Sequence, residues 1–222
     1  MLVDLLSHDM LNNNQATLSY LELIQSYPGA DQRTKEFAMR AASQVKTSSM
    51  LLDGIRRFIS STRAGPLPTA PADVIDVITA VTEEVTDLFP HKRVTMDTSE
   101  LVPAAKAQGA QYIQDLFANL FMNLVQLDPH ENVRIEVSGR PDKGELKIEV
   151  AAPTAVLPPG VDVGVFSSSG PKDASKMARV SGAIFAGSIA RALGGSMRSR
   201  VLEPDRNHGC AFEITLKEAG SA

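Results

Sequence analysis

The sequence predicts an α+β protein in two parts. An N-terminal two-helix hairpin pairs with a second copy as a four-helix bundle, and an α/β sandwich follows it. Three observations carry this expectation. Residues 2–60 hold two long stretches with apolar side chains at helical spacing, broken once at Pro28-Gly29. A short run with three prolines and a glycine, Ala64-Gly-Pro-Leu-Pro-Thr-Ala-Pro71, then interrupts the chain. Beyond it, segments of alternating polarity are interleaved with further helical stretches.

The first helix is expected from Leu2 to Tyr27. Leu2, Val3, Leu6, Met10, Thr17, Leu21 and Ile24 fall near one another at a period of about 3.6, with Leu11 and Leu18 widening the stripe. His8, Asn12, Gln15, Ser19 and Glu22 fall on the opposite, wet side. Asp31 is placed to cap a second helix running to about Ser60. Its stripe holds Phe37 or Ala38, then Ala41, Val45, Ser48, Leu52, Ile55 and Ile59, with Leu51 and Phe58 alongside. One hairpin cannot hide both stripes, whereas two hairpins from two chains can, so a homodimer through residues 1–62 is expected. Residues 63–72 read as a linker stiffened by proline, and residues 73–222 as the second domain.

In that domain Asp73 is placed to cap a helix to about Leu88, and residues 93–98 alternate like a strand. Residues 111–127 form a strongly apolar helix, and residues 133–138 and 145–151 two strands around a turn at Gly139–Gly144. A stretch rich in Gly, Ser and Pro leads to a helix at 181–193. Gly194-Gly195 ends that helix, and strands at 196–203 and 210–217 follow. The expected product is a mostly antiparallel sheet with helices on one face.

Composition excludes several functions. The net charge of −4 comes from interspersed charges and leaves no basic footprint for nucleic acid. The single cysteine, Cys210, allows neither an internal disulfide nor a cysteine metal cluster, and fits a reducing cytoplasm. No apolar run approaches the ~20 residues of a membrane span. His91, His130 and His208 fall in turns and read as solvated loop histidines without metal spacing.

Ser7-His8-Asp9-Met10-Leu11-Asn12 resembles the H box of histidine kinases, and the order of parts resembles their dimerisation and phosphotransfer hairpin followed by a GHKL-type ATP-binding domain. The resemblance implies that His8 carries a phosphoryl group. It also implies that Asp9 assists proton movement on the imidazole and that Asn12, one turn on, orients the partner's reacting groups. In the second domain, Leu116 to Gln126 resembles the N box, with Asn119 and Asn123 at its two asparagines. Its acid is replaced by Met122 and its basic residue by Gln126. The motif Asp-x-Gly-x-Gly is replaced by Ala152-Pro-Thr-Ala-Val156, and only Gly182 of a later Gly-x-Gly survives. An apolar side chain cannot accept from the adenine amino group, and Cβ atoms at glycine positions block backbone approach to phosphate. The segment Gly164–Lys172 reads as a relic of the ATP lid.

A retained phosphohistidine helix on a broken ATP domain resembles the histidine phosphotransferases of sporulation and cell-cycle phosphorelays. That resemblance implies passage of a phosphoryl group between response-regulator receiver domains, with no cofactor bound by this chain and Mg²⁺ supplied by the receiver. Asn119, Asn123 and Gly182 would then be vestigial. Two other classes stay open: a non-catalytic pseudo-kinase adaptor, and an active kinase with an unconventional ATP site.

Overall fold

The computed structural model describes residues 2–65, 67, 70–103, 105–158, 178–203 and 208–219, with backbone alone at 2–6 and 208. The expected lid relic at 164–172 lies outside the described residues. The chain divides into two compact units, one of Met1–Gly65 with Asp87–His91 and one of Pro66–Thr86 with Lys92–Ala222.

The first unit is a helical hairpin of α1 (Leu2–Ser26) and α2 (Gln32–Ala64). Asp31 caps α2 as its position predicts, with its carboxylate accepting from the Thr34 backbone N–H at 2.8 Å. That bond holds the Asp31 carboxyl below its ordinary value. A depressed folded value means that the stabilisation is present at neutral pH and is lost as the carboxylate protonates, below pH ~3.9. Asp31→Ala should therefore lower the melting temperature at pH 7. In a melting series over pH, the gap from the parent chain should close in acid.

The face of α1 turned to α2 holds Ser7, Leu11, Asn14, Leu18, Leu21 and Gln25, a run of alternating three- and four-residue steps. Asn14 donates its amide to Ser49 Oγ of α2 at 3.0 Å, a polar pair that fixes the register of the hairpin. The predicted apolar stripe therefore splits in two. Leu11, Leu18 and Leu21 face α2, whereas Met10, Thr17 and Ile24 face outward. With Tyr20 and Tyr27 they form a second seam, and Phe37 of α2 is also exposed. A continuous 3.6 period does not distinguish two seams that lie one residue apart.

The second unit contains β1 (Pro71–Asp73), all but the last two residues of α3 (Val74–Leu88), β2 (Arg93–Leu101), β3 (Lys106–Gln108) and α4 (Ala110–Leu127). It continues with β4 (Asn132–Asp142), β5 (Glu145–Ala152), α5 (Ser181–Ala192), β6 (Ser196–Glu203) and β7 (His208–Lys217). Its main sheet runs β2-β4-β5-β7-β6, with β2 parallel to β4 and every other pair antiparallel. Val133, Ile135 and Val137 of β4 are buried together with Leu146, Ile148 and Val150 of β5 and Phe212, Ile214 and Leu216 of β7. The alternate positions are charged. Arg200 reaches both Glu149 oxygens at 2.9 Å, and Arg134 reaches Asp97 at 3.1 Å. The register of β2 slips between Asp97 and Glu100, and β6 carries Arg198 and Arg200 at alternate positions.

Three details differ from expectation. Pro71–Asp73, expected in the linker and at a helix cap, pairs with β3. Both strands have three residues, too few to show a period. The turn expected over Gly139–Gly144 shrinks to Lys143-Gly144, both at positive φ, and β4 pairs with β5 up to Asp142↔Glu145. His91 is not a solvated loop residue: it is half-buried and its ring meets Phe89 edge-on, with centroids 6.1 Å apart.

Candidate functional site

His8 stands on α1 with its side chain 65 % exposed, immediately after the buried Ser7. The helix dictates this alternation. Ser7 is on the seam toward α2, and the next residue is about 100° further round. Two side chains meet the ring at the same atom. Asn12, one turn on, places its amide nitrogen 3.3 Å from Nδ1, and Asp9 places a carboxylate oxygen 3.5 Å from it. When Nδ1 carries the proton it points to Asp9; when it does not, it accepts from Asn12. Both contacts leave Nε2 clear. The three predicted residues therefore meet around one imidazole.

Asn119, Asn123 and Gly182, expected to be vestigial, gather elsewhere, where α4 packs against α5. Asn119 and Asn123 are 4 % and 3 % exposed, one turn apart on α4. Gly182, in the first turn of α5, lies so close that an added Cβ would fall 2.6 Å from the Asn119 carbonyl oxygen. The Asn123 amide donates to the Arg179 carbonyl at 2.8 Å, and that of Asn119 to the Asp115 carbonyl at 2.7 Å. Both amide nitrogens are thus bonded to backbone carbonyls of the protein itself. Ala152 is fully buried, Thr154 gives its hydroxyl to Asp128, and the Val156 N–H bonds the Leu127 carbonyl at 3.1 Å. One feature of this face would suit a cation: the side-chain oxygens of Asn119 and Asn123 are buried and have no hydrogen-bond partner among the described residues. Each such orphan costs about 1–3 kcal/mol.

His130, read from the sequence as a solvated loop histidine, is exposed in a loop and also has a side-chain partner. His130 bonds through Nδ1 to Asp128 at 3.0 Å, and the Asp128 side chain is 0 % exposed. The Asp-Pro-His order at the end of a helix was the available signal, because Asp caps with its side chain. Cys210, on β7, is buried, and its thiol is pushed up to about 12 by that burial and by the nearby Asp128 charge.

A helical hairpin followed by a five-stranded sandwich with α4 and α5 packed together is the fold of the histidine-kinase catalytic core, with a GHKL-like second domain. Solved structures share it. The histidine kinase AdeS of Acinetobacter baumannii matches over 94 % of this chain and 94 % of its own, with a TM-score of 0.53 at 14 % identity. Full-length ShkA, in complex with AMPPNP, matches over 99 % of this chain with a TM-score of 0.60 at 16 % identity, and this chain spans 46 % of its length. The catalytic domain of histidine kinase ThkA matches over 68 % of this chain with a TM-score of 0.52 at 14 % identity. In sequence comparison the chain matches no protein-family model and no curated protein. Among the described residues no helix is long and apolar enough to cross a membrane.

Proposed function

We propose that this chain is a histidine phosphotransferase of a two-component phosphorelay. It passes a phosphoryl group between receiver-domain aspartates through His8 and does not use ATP. The observation that carries the reading is the exposed His8 ring, held at Nδ1 and open at Nε2. The neutral ring attacks the phosphorus of an aspartyl phosphate. A P–N bond forms at Nε2 as the P–O bond to the carboxylate breaks. The second receiver reverses these events with its own aspartate. Phosphoryl transfer has a loose transition state, so alignment and charge neutralisation dominate, and the receiver's Mg²⁺ supplies much of the latter. Asp9 takes up the positive charge that develops on the ring. Asn12 keeps the ring turned outward.

The protein acts as a homodimer through residues 1–62. Met10, Tyr20 and Ile24 along one side of α1, and Tyr27 just beyond its end, lie 39–69 % exposed, a seam that a second hairpin would cover. A cytoplasmic location follows from the receiver partners. Incubation with a phosphorylated receiver tests the relay: an acid-labile label should appear on α1 and then pass to a second receiver. No label on α1 would end the proposal.

One observation favours a second reading, an active kinase: the two orphaned asparagine oxygens, which a magnesium ion would satisfy. Calorimetric titration with ATP, with and without Mg²⁺, separates the two. The phosphotransferase reading expects no saturable heat up to millimolar ATP, whereas micromolar binding supports the kinase.

A further inference from the structure

We propose that His130 is a second nucleophilic imidazole of this chain, accepting a phosphoryl group at Nε2 from a small activated phosphoryl donor. Three features of the residue carry this. The ring is 55 % exposed, so Nε2 is open to a donor. Its Nδ1 lies 3.0 Å from Asp128 Oδ1, a distance that requires a proton between the two atoms and puts the ring lone pair on Nε2. The carboxylate that fixes this tautomer cannot turn away. Asp128 Oδ1 also accepts from the His130 backbone N–H at 2.8 Å, and Oδ2 accepts from the Thr154 hydroxyl. Pro129 between the two residues stiffens the turn.

The contrast with His8 is one of environment. Asp9 is 64 % exposed and 3.5 Å from its ring, whereas Asp128 is wholly withdrawn from water. A charge in water is screened and its side chain is free to leave; a buried one acts undiminished and in one place. His130 is therefore the better-oriented of the two imidazoles.

The step balances as follows. The Nε2 lone pair forms a bond to phosphorus as the bond from phosphorus to the donor's leaving group breaks. With phosphoramidate the leaving group departs as ammonia, protonated by solvent. The ring becomes positively charged while the new bond forms, and its Nδ1–H carries that charge against the Asp128 carboxylate. The acceptor does not depend on His8, on dimerisation or on the receiver reading.

The test uses the full chain carrying His8→Ala, treated with potassium phosphoramidate and mapped by peptide mass spectrometry. The expected result is an acid-labile, alkali-stable label at residue 130, absent from the His8→Ala/His130→Ala chain. It should form at least about tenfold faster than on an Asp-Pro-His peptide. Asp128→Asn should slow it at least about tenfold while leaving residue 130 intact. No label at 130, a rate equal to that of the peptide, or an unchanged rate in Asp128→Asn would overturn the proposal. A separate readout needs no change at the dyad. Nitrogen-15 spectra of the His8→Ala chain at pH 8 should show His130 as the Nδ1–H tautomer, and an Nε2–H tautomer would overturn it.

Discussion

His8→Ala should abolish the passage of label from one phosphorylated receiver to the second, a loss of at least about 1,000-fold. The fold should not notice. The side chain is exposed on α1, and alanine is the better helix former, so circular dichroism and oligomeric state should match the parent chain. Loss of transfer with the oligomeric state unchanged separates chemistry from scaffolding. If the variant still relays, His8 is not the carrier and the adaptor reading gains. The neighbours should rank below it. Asp9→Asn removes a charge that is 64 % exposed and 3.5 Å from Nδ1, and should cost about 10- to 100-fold in transfer rate. Asn12→Ala removes only a 3.3 Å contact and should cost about tenfold or less.

Gly195→Ala should be the most damaging small substitution in the second domain. A Cβ built there would fall 1.9 Å from the backbone oxygen of Thr215, and that oxygen belongs to a strand held on both sides by β5 and β6. A flexible side chain could swing aside, but a strand backbone moves only with its sheet. The expected cost is about 3 kcal/mol, at the upper end for overpacking, and a fall of about 6–12 °C in melting temperature. The neighbouring Gly194 sits at φ +77, so its alanine variant is strained through its own backbone and should lose about 1 kcal/mol. A calorimetric scan giving Gly195→Ala the smaller loss would show that the turn after α5 relaxes freely.

Strong local signals made much of the fold legible. The apolar runs of α1, α2 and α4 span several turns each, Asp31 stands where a cap is needed, and Gly194-Gly195 closes α5. What stayed hidden depends on the third dimension. Pro71–Asp73 becomes a strand only because Lys106–Gln108 lies beside it. The two seams of α1 differ by one residue, so spacing did not say which faces α2. At the site, exposure of His8 could be read from the helical wheel because it is a property of one helix. The Asp-Pro-His order signals the Asp128–His130 pair, but not that Asp128 is sealed off from water, with Thr154 reaching it from the turn after β5. The descent of α5 onto Asn119 and Asn123 is likewise a matter of packing between segments roughly sixty residues apart in the chain.

The slip in β2 and the two arginines of β6 belong to the outermost strands of the sheet, where unpaired backbone groups would template growth by a further strand. A bulge bends one border out of register, whereas at the other Arg200 turns back across the sheet to Glu149 and Glu213. The β2 border is thus the less suited of the two to template a further strand.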